Sequence, residues 1–539
     1  MLNRVIGRFW NDHRGYVIAL TVIAMPLLLG FSLLVIDVGR SGNLHTDLQN
    51  AVDAMALTAA RELDGRDDAI DRANAAVAKL TNTAAFGDDE NGNREGLGSH
   101  STIDLSMVTV VYLKEIPASD NDKIDPDGPM VTIDPALATY AWVISKQAMT
   151  PIFPKLVGFM RGPPPKRGWA ESADKVSVSA EAVAVYRATA CDVTPIYICN
   201  PYESPSGGNA EQASDLLHAN FASGNLYGRQ IELHNNNSAT SVAGPGNFGF
   251  LETLGKGADV LREALATGRP GVCYKQDDLT TEPGAMKGPV EHGLNTRFGL
   301  YHGGVGSNDD PLYRPAPNVR MAQQQSGNTC KDYAPESDAW QAVPLGYGTT
   351  MDPIPGGGGR ISHSNDWNLD LYWDISHSGK NPSPLKSNPG YVPPAAPAAA
   401  IRTFSSSFPG GTTPPDVQPS AYDVYNYELG HADLILDKAP NNETGIPQCH
   451  KKYSLADYPD STYGNRREIF AAIINCVDQQ LKGRTPGVEA IAFARMFLTK
   501  PVITSGSDSH MTLEMIDITG QGGRGTLDEF LREEAELVR

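Results

Sequence analysis

The sequence has no cluster of basic residues, and its overall charge is strongly acidic. It carries 44 Lys and Arg against 63 Asp and Glu, which gives a formal net charge of −19 over 539 residues. Nucleic-acid binding needs a positively charged face, so this class of function is excluded and no nucleic-acid partner is expected. Acidity of this kind favours solubility and is ordinary for a domain outside the cell.

The short motifs of common enzyme and cofactor sites are also missing. The chain contains no Gly-x-Ser-x-Gly, no His-Glu-x-x-His and no Gly-x-x-x-x-Gly-Lys-Ser/Thr, the patterns of nucleophilic, zinc and phosphate-binding sites. Its histidines are dispersed over loop sequences, where surface or hydrogen-bonded positions are commoner than catalytic ones. We therefore predict a protein that is not an enzyme and that has no catalytic residue, metal or cofactor.

Cysteines are few, and their spacing is not that of a zinc ribbon because no Cys-x-x-Cys occurs. All six follow the apolar N-terminal segment described below. An even number of cysteines on the oxidising side of a membrane indicates disulfides. Proximity along the chain favours the pairs Cys191–Cys199, Cys273–Cys330 and Cys449–Cys476. The alternative is six free, buried thiols in a cytosolic protein.

An uncharged apolar run covers residues 16–36. Its length of about 21 residues suits a helix that crosses a bilayer. Arg4, Arg8 and Arg14 lie in the basic head, residues 1–15, which predicts a cytoplasmic N-terminus and places the remaining chain outside. A cleaved signal peptide is the alternative, but its apolar region is normally about 7–15 residues long and a small-residue cleavage site follows it. Here the run is longer and ends in Ile36-Asp-Val-Gly-Arg40, so we predict a retained single-pass anchor.

The sequence pattern of residues 37–190 predicts a helical stalk followed by a small sheet. Apolar residues recur at intervals of three and four from Leu44 to Leu63, which is typical of an amphipathic helix. A second helix is expected over residues 67–80. Three strands of an antiparallel sheet are predicted from β-branched or alternating patterns. They are residues 102–113, 138–145 and 176–186.

The remaining chain predicts a loop-rich region, residues 191–430, and a β-rich segment, residues 431–539. The 53 Gly and 39 Pro exceed the usual share, and residues 381–420 have the Pro-, Ser- and Ala-rich composition of a linker or exposed loop. Buried strands are predicted at 467–476, 489–498 and 513–518, and a short charged helix at 527–538. Short apolar runs of this kind also occur in helices.

The predicted fold class is therefore α+β. It combines a transmembrane helix that extends into a stalk, small antiparallel sheets and long loops joined by disulfides. Five aromatic residues are predicted to pack in a core, with a recognition patch as the alternative. They are Tyr372, Trp373, Tyr422, Tyr425 and Tyr427.

The N-terminal segment resembles a known family. It combines Phe9-Trp-Asn-Asp-His-Arg-Gly15, the apolar span with Pro26, the motif Ile36-Asp-Val-Gly-Arg40 and the run Leu48-Gln-Asn-Ala-Val-Asp53. This combination resembles the TadE/TadG-like N-terminal domain of Flp (tight adherence) pilus assembly systems, and later pieces of the chain resemble the long, TadG-like members. The resemblance implies a bacterial inner-membrane protein that faces the periplasm. It implies pilus-assembly proteins or pilin-like subunits as partners, and no known reaction. We separately predict that the α+β unit within residues 37–190 is pilin-like in shape.

Two features depart from the family. Processed TadE-type pseudopilins have a glutamate at the fifth position after the cleaved glycine, whereas Gly15 is followed by Tyr16-Val-Ile-Ala-Leu20. Cleavage by a prepilin peptidase is therefore not expected. Many TadG-like proteins also carry a metal-binding Asp-x-Ser-x-Ser loop. The related Asp374-Ile-Ser-His-Ser378 runs into a Gly/Pro-rich segment, so we predict a polar turn there.

We predict a non-enzymatic, membrane-anchored component of Flp-type pilus assembly that acts by protein–protein contacts in the periplasm. Homo-oligomer or filament association is one form of this contact, and lateral packing of the first helix through Gly30, Ser32, Gly39 and its Ala face is the predicted mode. The alternative is a surface adhesin or ligand-binding module on the same anchor, with cation-dependent binding as one variant. The residues predicted to form the membrane and assembly helix are Gly30, Asp37, Gly39, Arg40, Leu48, Gln49 and Asp53.

Overall fold

The computed structural model divides into two compact units. The helix–sheet unit comprises Met1–Tyr186 and Ala535–Arg539, and the barrel unit comprises Arg187–Glu534. Within them the structure describes residues 13–80, 82–88, 100–103, 105–117, 119, 121–152, 175–191, 193–235, 241–283, 287–302, 305, 309–335, 338–362, 366–378, 384–388, 390–406, 418–450, 465–503, 510–528 and 530–539. The predictions for residues 1–12 and for three parts of the proposed linker, residues 381–383, 389 and 407–417, lie outside the described residues.

The described helices are α1 His13–Ala60, α2 Ala69–Lys79, α3 Ala210–Ala222, α4 Ala258–Thr267, α5 Lys287–Asn295, α6 Leu369–His377, α7 Pro384–Ser387, α8 Ala398–Ser405, α9 Ala421–Gly430 and α10 Ala432–Leu436. The described strands are β1 Thr83–Ala85, β2 His100–Thr102, β3 Val108–Leu113, β4 Tyr140–Met149, β5 Val176–Ala190, β6 Ile196–Cys199, β7 Gln230–Asn235, β8 Asn247–Leu251, β9 Tyr274–Lys275, β10 Thr281–Glu282, β11 Met351–Pro353, β12 Arg360–Ser362, β13 Glu468–Ile474, β14 Ala492–Leu498, β15 His510–Ile518 and β16 Leu531–Leu537.

In the helix–sheet unit, the second half of α1 lies on an antiparallel sheet. The strand order is β3, β4, β5, β16, with antiparallel pairing from β3 to β4 and from β4 to β5. Leu44, Leu48, Val52 and Met55 are fully buried on the face of α1 that meets β4 and α2. The spacing of three and four that predicted this helix is therefore the spacing of its buried stripe. The predicted α+β class, the long apolar helix and this antiparallel sheet are confirmed.

The predicted C-terminal helix at 527–538 is wrong, because Leu531–Leu537 forms β16. Its end is paired with β5: the amide of Val183 donates to the carbonyl oxygen of Arg539 at 2.8 Å, and the amide of Val538 donates to Val183 at 2.9 Å. Glu, Leu and Arg favour helix intrinsically. Pairing with a neighbouring strand overrides that weak preference.

Within the described part of the barrel unit, six strands close into a barrel in the order β8, β6, β13, β14, β15, β7, and β7 returns to β8. The pairs β6–β13 and β7–β8 are parallel, and the other four are antiparallel. The prediction of small antiparallel sheets alone is therefore wrong for this unit. Since β6 and β13 are far apart in the chain, their adjacency leaves no local pattern in the sequence. The predicted regions 191–430 and 431–539 fall in this one compact unit except for residues 535–539, which belong to the helix–sheet unit.

Strand β13 shows how a buried strand of the barrel could be predicted from the sequence. All seven of its residues are buried. Ile469 and Ala471 belong to one hydrophobic cluster, whereas Phe470 and Ala472 belong to another. Because both faces of the strand are covered, its sequence is a continuous apolar run rather than an alternating one. The strands predicted at 467–476, 489–498 and 513–518 correspond to β13, β14 and part of β15.

The cysteines form disulfides, but the predicted pairs are wrong. All six cysteines are described, and they pair as Cys191–Cys273, Cys199–Cys476 and Cys330–Cys449. The bond from Cys199 to Cys476 joins the ends of the neighbouring parallel strands β6 and β13. Closeness in space is therefore set by the barrel, whereas the prediction relied on closeness along the chain.

Helices α6, α8 and α9 contribute to a separate hydrophobic cluster of the barrel unit. Tyr372 and Tyr425 are fully buried in it, and Trp373, Tyr422 and Tyr427 pack against it, which confirms the predicted core packing. The predicted polar turn at Asp374–Ser378 is wrong, because this segment lies in α6 up to His377. Asn368 caps that helix by accepting a hydrogen bond from the amide of Leu371 at 3.1 Å.

Candidate functional site

Between Leu20 and Ile36, most of the apolar side chains of α1 point away from the other described residues. Val22, Ile23 and Leu28 are 66%, 73% and 64% exposed. In water such a surface is unfavourable, but residues 16–36 form about 31 Å of helix, close to the hydrocarbon thickness of a bilayer. By length and composition, α1 can cross a membrane. Pro26 lies inside this helix, and proline is tolerated in membrane-spanning helices.

Two of the glycines predicted to permit lateral packing are sterically open. A Cβ atom added at Gly30 or Gly39 would meet no neighbouring atom within 4 Å. The hydroxyl of Ser32 donates to the carbonyl oxygen of Leu28 at 2.8 Å, so it is satisfied within its own helix. In the exposed half of α1, Gly30 is therefore a position without a side chain, at which another helix can approach closely.

The Ala face of α1 is not available for lateral packing, contrary to the prediction. Ala51 is 2% exposed, and Ala56, Ala59 and Ala60 are completely buried. All four belong to the core that α1 forms with its own sheet. Small residues at these positions let the helix backbone approach the sheet closely, so their role is in the fold of the helix–sheet unit.

The motif Asp37-Val-Gly-Arg40 forms the base where the exposed half of α1 meets the helix–sheet unit. Asp37 and Arg40 are 3% and 5% exposed and form an ion pair of 3.1 Å. Asp37 Oδ1 also accepts a hydrogen bond from the amide of Ile152 at 2.9 Å, and Arg40 Nη1 donates to the carbonyl oxygen of Thr150 at 3.4 Å. We call this group the helix base. It joins α1 to the chain segment that follows β4.

The run Leu48–Asp53 holds α1 to the sheet by packing and by a hydrogen bond from a side chain to a backbone carbonyl. Leu48 is fully buried. Gln49 Nε2 donates to Asp53 Oδ1 at 2.8 Å and to the carbonyl oxygen of Glu181 at 3.1 Å. Leu48, Gln49 and Asp53 are therefore explained by contacts within the helix–sheet unit, as the helix base is.

Several residues that contact the helix base or the segment after β4 could not be recognised from the sequence. Phe86 has a positive φ of 70°, which is unusual for a bulky residue, and its ring lies 5.4 Å from the guanidinium of Arg40. Asp88 accepts from the hydroxyl of Thr150 at 2.9 Å and pairs with Lys175 at 2.8 Å. Their partners are distant in the chain, so only the fold reveals them.

A second buried polar cluster lies in the barrel unit. Tyr372 donates to Glu428 Oε1 at 2.7 Å, and the side chain of His377 lies between Glu428 at 2.9 Å and Asp437 at 2.8 Å. Both ring nitrogens of His377 therefore face carboxylate oxygens, and a doubly protonated imidazolium can donate to both. Burial opposes ionisation of Glu428, but hydrogen bonding and charge from His377 outweigh it and lower the pKa of this carboxyl.

The chemistry of this cluster is that of a structural network. Burial and the neighbouring carboxylate of Glu428 raise the pKa of Tyr372 well above its usual value, so its hydroxyl remains a donor. Arg467 is also completely buried and donates to the carbonyl oxygens of Leu498 and Thr499 at 2.9 and 2.6 Å. These groups are satisfied by one another and by backbone atoms, which is the arrangement that makes buried charge tolerable.

The relation of this chain to known proteins is confined to its N-terminal helix. Comparisons with curated proteins and with solved structures found no match. Residues 15–62 match the family model described as putative Flp pilus-assembly TadE/G-like. The matched residues cover the apolar span, the helix base and the buried stripe of α1. The match confirms, for this segment, the TadE/TadG-like resemblance predicted from the sequence.

Proposed function

We propose that this chain is a membrane-anchored component of Flp (tight adherence) pilus assembly that acts through protein–protein contacts and catalyses no reaction. The observation that carries the proposal is the exposed apolar half of α1 within the segment that matches the TadE/G-like family model. Its partners are other pilus-assembly proteins or pilin-like subunits whose own apolar helices lie beside it in the membrane.

The proposed location is the bacterial inner membrane, with a single span, a cytoplasmic N-terminus and both compact units in the periplasm. The arginines before the apolar run support this orientation. The pairing of all six cysteines supports an oxidising compartment for the barrel unit.

The helix base gives this anchor a mechanical role. Because Asp37 and Arg40 fix α1 to the segment at Thr150 and Ile152, the membrane helix and the helix–sheet unit move together. A neighbour that packs against the exposed half of α1 therefore also positions the helix–sheet unit. A long helix with its second half on an antiparallel sheet supports the predicted pilin-like shape of this unit.

The segment Asp374–Ser378, considered as a cation-binding loop for the adhesin alternative, does not form such a loop. Asp374 lies inside α6, where residues two positions apart point in different directions around the helix. Asp374, Ser376 and Ser378 therefore do not converge as ligands.

Substitution at Gly30 tests the proposal. Gly30→Leu adds bulk at an open position, so we expect the protein to fold and insert normally while membrane cross-linking to Flp pilus components falls. Leu28→Phe is the matched control, since residue 28 lies about 200° around the helix from residue 30. Its side chain is 64% exposed. Unchanged cross-linking in Gly30→Leu, or an equal loss in Leu28→Phe, would contradict contact through this face.

A further inference from the structure

The three disulfides differ in their access to solvent. Cys199 and Cys476 are completely buried. In the Cys330–Cys449 pair, Cys449 is buried and Cys330 is half-buried. In the Cys191–Cys273 pair, Cys191 is buried whereas Cys273 is exposed. Cys273 is therefore the one cysteine of the six, all of them described, that is exposed to a reagent in solution.

The Cys191–Cys273 bond lies across a short strand pair. Strand β9 pairs with the end of β5 through Thr189↔Lys275 and Ala190↔Tyr274. Continuing this antiparallel register places Cys191 directly opposite Cys273, and their Cα atoms are 4.3 Å apart. The bond therefore closes the end of a two-residue ladder rather than lying inside the barrel.

Other contacts hold β9 in place independently of the bond. Tyr274 is 5% exposed, and its hydroxyl donates to the carbonyl oxygen of Glu252 at 3.0 Å. The amide of Gln276 donates to Ala188 at 3.0 Å, and its side chain donates to Ala490 at 3.2 Å. If the disulfide opens, these contacts keep the two cysteines opposite each other, so that the bond can form again without refolding.

We propose that Cys191–Cys273 is a thiol-exchange site of the folded protein and that Cys273 is the sulfur attacked by an external dithiol. In the first step a thiolate of the reductant bonds to Sγ of Cys273, the Cys191–Cys273 bond breaks, and Cys191 leaves as a thiolate that takes up a proton. In the second step the other thiol of the reductant loses its proton. The resulting thiolate attacks the reductant's first sulfur, the one bonded to Cys273 in the mixed disulfide, and expels the Cys273 thiolate. The reductant becomes a disulfide, and two cysteine thiols remain.

The charge around Cys273 favours the second step. Side chains alternate along a strand, so Cys273 and Lys275 are on the same face of β9 while Tyr274 points into the core. Lys275 is exposed. A nearby ammonium group stabilises a thiolate, which makes Cys273 a better leaving group.

The test uses the full-length protein in detergent micelles and glutathione as the probe. After incubation, acid quenching and alkylation, peptide mass spectrometry locates the labels. We expect a glutathione adduct on Cys273 rather than on Cys191. We also expect the Cys191–Cys273 pair to open roughly tenfold or more faster than the buried Cys199–Cys476 pair, since a buried bond requires local opening first. Circular dichroism should stay native during this phase.

Two controls make the outcome decisive. A Lys275→Gln variant should fold normally, and with dithiothreitol its Cys273 thiol should be released more slowly than in the unaltered chain. A double variant, Cys191→Ser with Cys273→Ser, should keep the other two disulfides intact at the same reductant concentration. Equal opening rates for all three bonds, an adduct mainly on Cys191, or opening only when the native circular dichroism signal is lost would each overturn the proposal.

Discussion

Replacing Arg40 by Met should destabilise the helix–sheet unit, because it removes the buried ion pair between Arg40 and Asp37. Removing one partner of a buried ion pair costs about 3–5 kcal/mol. Asp37 keeps the hydrogen bond from the amide of Ile152 at 2.9 Å, which places the expected loss near the lower limit, about 3 kcal/mol. For a unit of this size, that loss lowers the unfolding midpoint by roughly 6–12 °C.

The measurement is thermal unfolding of the full-length chain in detergent micelles, with hydrogen exchange at the amide of Ile152 to identify which unit opens. Faster exchange at Ile152 should accompany the lower midpoint. The matched control combines Arg40→Met with Asp37→Leu. Replacing both charges by apolar side chains is often nearly neutral, so the double variant should recover most of the lost stability.

Two results would refute this reasoning. If the double variant were as unstable as Arg40→Met alone, the loss would come from side-chain packing and not from the loss of the Asp37–Arg40 ion pair. If Arg40→Met unfolded within one or two degrees of the unaltered chain, the ion pair at the helix base would not hold α1 to its sheet.

Three further changes test other parts of the structure. Burial raises the pKa of Glu514 to about 8. The stability that its protonated form contributes is therefore complete below about pH 4.5 and is lost as the pH rises towards 8, by up to about 1.4 kcal/mol per pH unit. Urea unfolding of Glu514→Gln should lack this decline. Replacing both Cys199 and Cys476 by Ala should lower the free energy of unfolding of the barrel unit by roughly 3–5 kcal/mol, measured by denaturant titration. Ala56→Leu should destabilise the helix–sheet unit by about 1–3 kcal/mol through overpacking in thermal unfolding, whereas Gly30→Leu should leave its stability unchanged.

Features that depend on neighbouring residues could be predicted from the sequence. The apolar run and the three-and-four spacing of α1 are local features of the sequence. In the structure, the apolar run is the exposed half of α1, and the residues at that spacing form its buried stripe. Strands β13 and β14 could be predicted because both of their faces are covered, which leaves an apolar sequence that only Arg495 interrupts in β14. The opposite applies to β7 and β8: their residues lie in a stretch rich in Gly and Asn, and no strand was predicted there.

Features that depend on distant residues could not be predicted. The family motif drew attention to Asp37 and Arg40, but the function of Asp37 is to accept a hydrogen bond from Ile152, 115 residues further along the chain. Likewise, His377 looked like one of many dispersed histidines until the fold placed it between two carboxylates. For the C-terminal strand β16, helix-favouring residues suggested the wrong element because pairing with β5 decides its conformation.

The order of strands in the barrel has a consequence for biogenesis. If the chain crosses the membrane as proposed, with its N-terminus retained in the cytoplasm, Cys191 and Cys199 emerge together, whereas the native partner of Cys199 is 277 residues further on. During that interval β6 lacks its neighbour β13, and the nearest free thiol for Cys199 is the wrong one. We therefore expect newly exported chains to form non-native disulfides, and their maturation to depend on an isomerase that reshuffles them once β13 has arrived.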